Sequence, residues 1–515
     1  MREKGQIGDS LSRSHSVQGV ELVLLCVTVA ACRLLASIPC HLYDDAFITM
    51  RYAENLAAGR GFVYNHGAPW EPILGTTTPA FTVVLAGARY LGADLATFVV
   101  AFNALCDAAI AWLVARSLLA SSRVAAVVSV AAFAVLPELN RISAGGMESP
   151  LFVLSIIGAI HLDTNGQKPA AGLLATFAAA VRPEGILALL LLGYRNLRVR
   201  RALLRLAVPA GCAGLLYLGV VTAYFGSPIP HSVVAKASQH TGGDATRVLK
   251  ILTESFAPSA PMMLALPLLA IGCWRTSAVA GTCRWFTLFG LALTGAYAAA
   301  RPAVWGWYLY PSLTLSCVWF GAGIGFLLRR FLPKRVTIGE ADGARRLTLA
   351  VVFACVFLVS GFVAYKGPSL VRQKVYDAIA AWARDANAAE VTVLAYDIGV
   401  IGYASGAQIL DSAGLVWPEA AEHTDFAQLL RRHHPDYALI TAVRSNVRVM
   451  QNDPYVRANY LPIRRFNTFG DTELTPQPGL LPAHWCQDYI LYARSNVPAA
   501  GGDALHTAVG WETHP

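Results

Sequence analysis

Residues 20–52 read VELVLLCVTVAACRLLASIPCHLYDDAFITMRY, an apolar segment followed closely by two adjacent aspartates. The apolar part, residues 20–38, approaches the about 20 residues that an α-helix needs to cross a membrane. Its charged residues, Glu21 and Arg33, lie toward the two ends, where long side chains can extend to the headgroups. No small-residue cleavage pattern follows, so we predict a retained first membrane span rather than a cleaved signal peptide.

The composition indicates that much of the remaining chain is also in the membrane. Of the 515 residues, 55% are hydrophobic and only 14% are charged, and the mean hydropathy is +0.47. These values exclude a single soluble domain. Further apolar segments lie near residues 97–115, 124–137, 150–162, 171–194, 203–223, 259–273, 285–300, 307–327 and 347–365. We therefore predict an all-α polytopic membrane domain of about 11 spans.

The positive charges set the predicted orientation, because short cytoplasmic loops are enriched in Lys and Arg. One basic loop contains Arg195, Arg198, Arg200, Arg201 and Arg205, and another contains Arg329, Arg330, Lys334, Arg335, Arg345 and Arg346. If both loops are cytoplasmic, the N-terminus is also cytoplasmic. The tail after residue 365 is then outside, as are the loops 39–78, 138–149, 225–258 and 301–306. The net charge of +9 thus reflects topology and does not indicate a nucleic-acid partner.

Two apolar segments do not fit simple spans. Residues 79–93, as a full span, would move Arg116 and Arg123 to the outer side, so we predict a re-entrant or surface-lying helix there. Residues 171–194 contain Arg182-Pro183-Glu184-Gly185 near their middle, and proline interrupts the helical hydrogen-bond ladder. We predict two short helices that meet at this break, on the outer side.

The tail after about residue 366 has the pattern of a soluble α/β domain. Residues 372–387 fit an amphipathic helix, and short β-rich runs follow at 391–395 and 437–441. The tail contains neither a Walker lysine motif nor a G-x-G-x-x-G loop, which argues against nucleotide chemistry. We predict a membrane domain over residues 1–366 and a soluble domain over 367–515.

The aspartate pair is the candidate catalytic feature. Glycosyl transfer from a lipid phosphate needs one base for the acceptor hydroxyl and cations for the departing phosphate. The predicted outer loops supply Arg51, His66, Arg182, His231, Lys236 and Arg301. Adjacent helical residues point about 100° apart, so Asp44 and Asp45 would have separate roles. The alternatives are structural: the pair can cap a helix over residues 46–58, and Arg182 can pair with Glu184 at the helix break.

The stretch DDAFITMRYAENLAAGRGFVYN, residues 44–65, resembles the first external loop of GT-C membrane glycosyltransferases. Within that family, the branch of the cell-wall arabinofuranosyltransferases is most similar in motif. Other matching stretches follow in the expected order: GMESPLF at 146–152, RPEG at 182–185, YFGSPIP at 224–230 with Ala235-Lys236, and DIGVIGY at 397–403 with Leu410-Asp411. The resemblance spans most of residues 40–420.

This resemblance implies a polyprenyl-phosphate sugar as donor and an acidic residue of the first loop as catalytic base. Asp44 is the implied base, and Asp45 is the alternative base or a ligand of a hydroxyl or a divalent metal. From the charged residues of the predicted outer loops, we predict Arg182, Lys236, Arg301 and His231 as donor-phosphate residues, and Arg51, His66, Glu71 and Glu148 as acceptor or loop-support residues. The stretch EPILGTTTP at 71–79 departs from the branch and lacks its tyrosine, so neither arabinose nor the acceptor is specified.

The predicted function is an inverting transfer of a sugar to an extracytoplasmic glycan, lipid or protein, at the plasma (inner) membrane. No cofactor is required by this chemistry, and a divalent metal remains an option. A lipid or glycan transporter is the alternative, but a transporter would concentrate ionisable groups near mid-membrane in repeated halves. A non-catalytic scaffold or sensor that binds a surface glycan is a third interpretation.

Overall fold

The fold is described from a computed structural model, and the residues described are 2–38, 40, 42–67, 70–119, 121–239, 245–256, 265–278, 281–302, 304–331, 341–366, 371–385, 391–422, 425–441, 449–450, 452–466 and 489–495. The chain forms two compact units. We call Met1–Tyr43, Thr77–Pro228 and Gln239–Pro368 the helical unit, and Asp44–Thr76, Ile229–Ser238 and Ser369–Pro515 the sheet unit. The sequence assigned the tail to its own domain, but it did not indicate that two earlier segments belong to the same compact unit as the tail.

The helical unit consists of helices joined by short connections. Its α-helices are Arg2–Ser37, Pro79–Tyr90, Leu95–Leu119, Arg123–Val135, Pro137–Ala144, Ser149–Thr164, Lys168–Val181, Ile186–Asn196, Arg200–Phe225, Ala245–Phe256, Leu266–Ala278, Thr282–Ala300, Tyr310–Phe331 and Ala341–Lys366, with 3₁₀ turns at Pro183–Gly185 and Gly306–Leu309. Close packing depends on small residues: the backbone of Trp319 leaves no space for a Cβ at Gly272, and that of Leu206 leaves none at Gly172.

Four of the described helices are long and apolar enough to cross a membrane: Gly19–Ser37, Leu95–Leu119, Arg200–Phe225 and Gly306–Phe331. A fifth candidate is the pair Arg123–Val135 and Pro137–Ala144, which is bent by 58°. Shorter apolar helices are Ser149–Thr164, Lys168–Val181 and Thr348–Gly361. The predicted polytopic helical architecture is therefore present, whereas the predicted number of about 11 spans is not confirmed.

The predicted helix break is confirmed. Lys168–Val181 ends before Arg182, the 3₁₀ turn Pro183–Gly185 follows, and Ile186–Asn196 continues. Arg182 has extended backbone angles, as is usual for a residue that precedes proline. The segment predicted to be re-entrant or to lie on the surface forms the single short helix Pro79–Tyr90.

The prediction that the charges of the first span extend to the headgroups is wrong for Arg33. This residue is fully buried, and its Nε donates to Asp107 Oδ2 at 2.6 Å while Nη1 donates to Asn140 Oδ1 at 2.6 Å. Tyr310 donates to the other oxygen of Asp107. Glu21 is also buried and lies 3.0 Å from Arg123 Nη2. Charges in these spans therefore hold helices together, because an unpaired ion is costly in hydrocarbon.

The sheet unit contains one five-stranded sheet. Its strands are β1 (Thr392–Ala395), β2 (Gln408–Asp411), β3 (Tyr437–Thr441), β4 (Tyr460–Phe466) and β5 (Tyr489–Arg494), in the spatial order β2-β1-β3-β5-β4. Strands β1, β2 and β3 are parallel, and β5 pairs antiparallel with β3 and β4. Its helices are Asp44–Ala57, His231–Gln239, Val371–Asp385, Gly399–Ser405, Pro418–Glu422, Phe426–His433 and Pro454–Asn459. The predicted α/β tail is thus confirmed as a small sheet with helices.

Each face of the sheet is covered by apolar side chains, as expected for parallel strands. One face packs Val375, Ile379 and Trp382 against β1, β2 and β3, and the other packs helix Phe426–His433 against them. We call Asp44–Thr76 the early segment. Its residues Ile48, Tyr52 and Tyr64 belong to the first of these clusters. The segment Asp44–Thr76 therefore completes the hydrophobic core of the sheet unit.

Candidate active site

Arg51 attaches the early segment of the sheet unit to the sheet. The residue is buried, and its guanidinium donates from Nε to Tyr64 O at 2.7 Å and from Nη2 to Ala407 O at 2.6 Å and to Asn65 Oδ1 at 3.1 Å. It also donates to the carbonyl of Gly402. Because these donors are directed at carbonyl and amide oxygens of the protein, the contacts of Arg51 support the loop.

Asn65 extends this attachment along strand β2. Its Nδ2 donates to Ile409 O at 2.8 Å and its Oδ1 accepts from Ile409 N at 3.0 Å, so the side-chain amide imitates a neighbouring strand. Gln408 Nε2 donates to the carbonyl of His66 at 3.0 Å, and Tyr64 Oη donates to Ile398 O at 2.7 Å. The N-terminal part of the chain is therefore hydrogen-bonded to a strand more than 300 positions away.

The two aspartates lie in the first turn of helix Asp44–Ala57. Asp44 reaches the start of a second helix, where its Oδ2 accepts from Gly399 N at 2.8 Å and its Oδ1 accepts from Val400 N at 2.9 Å. A Cβ at residue 399 would collide with the backbone of Asp44, and one at residue 402 would collide with Tyr64. The glycines of the DIGVIGY stretch therefore allow the early segment to approach the sheet.

The electrostatic surroundings of Asp44 favour its protonated form. Burial, followed by the charge of Asp397, raises the pKa of Asp44 to about 7, and this outweighs the two backbone N–H donors; Asp45 adds a smaller repulsion. The Asp397 Oδ2 in turn accepts from Tyr489 Oη at 2.9 Å. Asp44 is thus a carboxyl group able to take up a proton near neutral pH, which is the property required of a general base.

A second buried carboxylate of the sheet unit is hydrogen-bonded to the backbone of a turn. Asp411, the last residue of β2, is fully buried and accepts from Ala413 N at 2.8 Å and from Val416 N at 2.9 Å. Burial raises the pKa of Asp411 to about 6 although these amides lower it. The side chain closes the turn after the strand, so its contacts explain the Leu410-Asp411 motif.

The other predicted site residues of the sheet unit differ in solvent exposure. Asp45 and His66 are partly buried, and Glu71 is exposed. The pKa of the His66 imidazole is lowered, first by burial and then by the charges of Arg60 and Arg51. His66 is therefore neutral at pH 7 and can accept a hydrogen bond.

His231 and Lys236 belong to the short helix His231–Gln239. The backbone N–H of His231 donates to Leu74 O at 2.8 Å, which joins this helix to the end of the early segment. Lys236 is partly buried. Both predicted phosphate-binding residues therefore belong to the same unit as the aspartate pair.

Arg182 is the centre of a buried charged cluster in the helical unit. Its Nη1 donates to Glu148 Oε1 at 3.1 Å, and its Nη2 donates to Glu184 Oε1 at 3.0 Å. The guanidinium carbon lies 4.3 Å from the centre of the Tyr308 ring, and Tyr297 Oη donates to Glu184 Oε1 at 2.7 Å. Two predicted site residues, Arg182 and Glu148, are therefore brought together as an ion pair.

Arg301 ends helix Thr282–Ala300 in a left-handed conformation, with φ of 50°. Its backbone N–H donates to Tyr297 O at 2.8 Å. The side chain is exposed. This conformation is uncommon for a residue other than glycine, asparagine or aspartate, and it ends the helix at Arg301.

Sequence reasoning missed several partners of these residues. The sequence places Asp397 in the DIGVIGY motif without indicating a role for it, and it predicts Glu184 only as a structural partner of Arg182. Tyr297 and Tyr489 carry no local signal, since each becomes relevant through a contact with a residue that is distant in the chain. Of these partners, Asp397 could have been identified from the sequence. It lies two positions after the predicted strand β1, and side chains at the carboxyl ends of parallel strands often form sites.

The described residues provide no group of three or more His, Cys, Asp or Glu side chains that could hold a metal ion. The option of a divalent metal at Asp45 therefore has no supporting set of ligands in this part of the chain.

Comparisons with known proteins support the fold. A family model described as a domain of unknown function (DUF8728) matches residues 368–491, and no protein of curated function matches the sequence. Among solved structures, the chain is similar to the crystal structure of ArnT from Cupriavidus metallidurans bound to undecaprenyl phosphate. The identity is 12%, the TM-score is 0.57, and the match covers 96% of this chain and 99% of ArnT. The chain therefore has an ArnT-like fold.

Proposed function

We propose that this protein is an inverting glycosyltransferase that moves a sugar from a polyprenyl-phosphate donor to an extracytoplasmic glycan, lipid or protein. The observation that carries the proposal is the ArnT-like fold, which extends over 96% of the chain. The ArnT structure contains undecaprenyl phosphate. A lipid of this class is therefore the first donor carrier to test.

In the proposed reaction Asp44 accepts the proton of the acceptor hydroxyl. The hydroxyl oxygen attacks the anomeric carbon, the bond from that carbon to the phosphate oxygen breaks, and polyprenyl phosphate leaves as an anion. A pKa of about 7 suits Asp44 for this role, because the ionised form is abundant at neutral pH and still basic enough to take the proton. Asp45 is the alternative base or orients the acceptor hydroxyl.

The proposed phosphate contacts come from Arg301, Lys236 and His231, with Arg182 as a further candidate. Cations stabilise the negative charge that develops on the departing phosphate. Arg182 already faces Glu148 and Glu184, so its charge is largely neutralised within the protein. Arg51 and Glu148 fit the proposed supporting roles, whereas His66 and Glu71 are proposed to contact the acceptor.

Donor binding is tested with the purified protein in detergent. We expect undecaprenyl phosphate to raise the thermal unfolding midpoint, and undecaprenol, which has the same chain without the phosphate, to have a much smaller effect. Equal effects of the two lipids would contradict a phosphate-specific donor site.

Transfer itself is tested in cells. In a deletion strain we expect one lipid-linked sugar to accumulate, identified by mass spectrometry, and the wild-type gene to restore its consumption. A transporter would move the labelled lipid without releasing polyprenyl phosphate, so release of that phosphate from the accumulated lipid by the purified protein separates the two functions.

The proposed orientation places the sheet unit and the aspartate pair outside the plasma membrane. Cysteines introduced at Arg432 and at Arg198 test it, since Arg432 has 66% of its side chain exposed and Arg198 is also exposed. With a membrane-impermeant thiol reagent on intact spheroplasts, we expect added labelling at position 432 and not at 198. The reverse pattern would place the sheet unit in the cytoplasm.

A further inference from the structure

One end of the helical unit contains a cavity of about 390 Å³. It lies where helices Leu95–Leu119, Ser149–Thr164 and Leu266–Ala278 end and where Arg123–Val135 and Thr282–Ala300 begin. The last turns of Tyr310–Phe331 also line it, including Arg329 of the second basic loop. The cavity is therefore at the face of the helical unit that the charge pattern predicts to be cytoplasmic.

The cavity is strongly positive. Arg116, Arg275 and Arg329 line it, together with His161 and several serine and threonine hydroxyls, and no Asp or Glu is among its described lining residues. Arg329 donates to the backbone carbonyl of Ser121 at the rim. Three guanidinium groups around one cavity repel each other, and an anion within it would remove that repulsion.

Two of the guanidinium groups that line the cavity lie beside aromatic rings. The Arg116 guanidinium carbon lies 5.2 Å from the centre of the Trp112 ring, and that of Arg275 lies 4.9 Å from the centre of the Phe326 ring. Neither arginine forms an ion pair within the part of the chain that the structure describes. Each guanidinium is thus held over an aromatic ring, and a guanidinium can bind a phosphate by two parallel hydrogen bonds.

The surface beside the cavity indicates that the anion belongs to a lipid. Leu105, Trp112 and Arg116 are spaced by seven and four positions in one helix, and they therefore lie on one face. Leu105 is 66% exposed and Trp112 is 37% exposed. An apolar strip thus runs along the helix to the cavity, with a tryptophan at the level where membrane interfaces are enriched in aromatic residues.

From these observations we infer that the cavity binds the phosphate headgroup of an anionic phospholipid, with an acyl chain along Leu105 and Trp112. Basic pockets between helices at the cytoplasmic side are suited to anionic headgroups, which are concentrated in that leaflet. None of the proposed donor contacts is among the described lining residues of this cavity, and a bound anion would offset the positive charge inside the helix bundle.

The test measures thermal unfolding of the full-length protein in detergent against added phosphatidylglycerol or phosphatidylcholine. The double variant Arg116→Gln/Arg275→Gln removes the two guanidinium edges, and Arg198→Gln is the matched control, because it removes an exposed arginine that does not line the cavity. We expect phosphatidylglycerol to stabilise the parent and the control, and the double variant to need about tenfold more of it. The single variant Arg116→Gln, at an exposed position, serves if the double variant does not fold.

Three outcomes would overturn the inference. The first is an equal response of the parent and the arginine variants to phosphatidylglycerol. The second is equal stabilisation of the parent by phosphatidylcholine, which carries no net charge. The third is full stabilisation by inorganic phosphate alone, which would assign the cavity to a soluble anion instead of a lipid.

Discussion

The Arg182 cluster of the helical unit and the Asp44 cluster of the sheet unit both contain buried or partly buried carboxylates, but their charges are arranged oppositely. Glu148 and Glu184 face the guanidinium of Arg182. Asp44 faces another carboxylate, Asp397, and backbone amides. An ion-paired carboxylate is held in its charged form and is a weak base, whereas a carboxylate beside another one binds a proton more readily. This difference is the reason for proposing Asp44, and not a glutamate of the Arg182 cluster, as the catalytic base.

Removing the cation of the Arg182 cluster should have the largest effect. Arg182→Gln leaves Glu148 and Glu184 buried without a counter-charge, so we expect destabilisation by about 3–5 kcal/mol, measured as a lower thermal unfolding midpoint. Glu148→Gln is the matched control, since Arg182 then keeps Glu184, and its effect should be smaller. A normal midpoint with slow turnover in Arg182→Gln would instead make Arg182 a donor contact.

Removing the proton acceptor of the Asp44 cluster should abolish turnover. Asp44→Asn keeps the shape but cannot accept a proton, and we expect a loss of about 100-fold or more in kcat with donor binding retained. The control is Tyr64→Phe, which removes the 2.7 Å hydrogen bond to Ile398 O from the same attached segment. A comparable loss in Tyr64→Phe would mean that Asp44 acts by anchoring the segment. Activity in Asp44→Asn and inactivity in Asp45→Asn would transfer the role to Asp45.

The raised pKa of Asp44 predicts a specific pH profile. Since only the ionised base can act, kcat/KM should fall about tenfold per pH unit below pH 7 and be constant above it. Stability should have the opposite trend: the folded pKa lies above the unfolded value of about 3.9, so this group favours the folded state increasingly as the pH falls from 7 toward 4. Asp411 also has a raised pKa, of about 6. Asp45→Asn removes a repulsion that raises the pKa of Asp44, so a limb set by Asp44 should move to slightly lower pH in this variant, whereas a limb set by Asp411 should not move. A flat activity profile from pH 5 to 8 would contradict Asp44 as the base.

The smallest effects are expected for the cations outside the two carboxylate clusters. Arg301→Gln and Lys236→Gln should each lower donor turnover by about tenfold at unchanged protein level, because each loses one charge-assisted contact to the phosphate. Arg457→Gln is a matched control, because Arg457 is an exposed arginine of the sheet unit with no proposed role. Normal turnover in both variants would remove Arg301 and Lys236 from the proposed site.

The features that sequence predicted well are those with local causes. Hydropathy indicated a polytopic helical protein, Pro183 indicated the break between Lys168–Val181 and Ile186–Asn196, and strand periodicity placed β1 and β3 within a residue of their positions. Each depends on the intrinsic preference of a short stretch for a backbone conformation or for lipid.

The errors involve partners that are distant in the chain. The sequence predicts Arg33 to be a charge at the end of a span. Its ion-pair partner Asp107 is 74 positions away, so no residue near position 33 indicates the pairing. The span count was also not confirmed, since short apolar helices such as Ser149–Thr164 look alike in sequence whether they cross a membrane or not.

The sequence by itself determined the membrane-protein class, the α/β character of the tail and the identity of the acidic pair as the candidate site. The tertiary structure decided which of these groups are paired and which has a raised pKa. Only the folded chain places the amides of Gly399 and Val400 and the carboxylate of Asp397 around Asp44, more than 350 positions after it. A pKa depends on burial and on charges in three dimensions, whereas helix and membrane preferences depend mostly on neighbours along the chain.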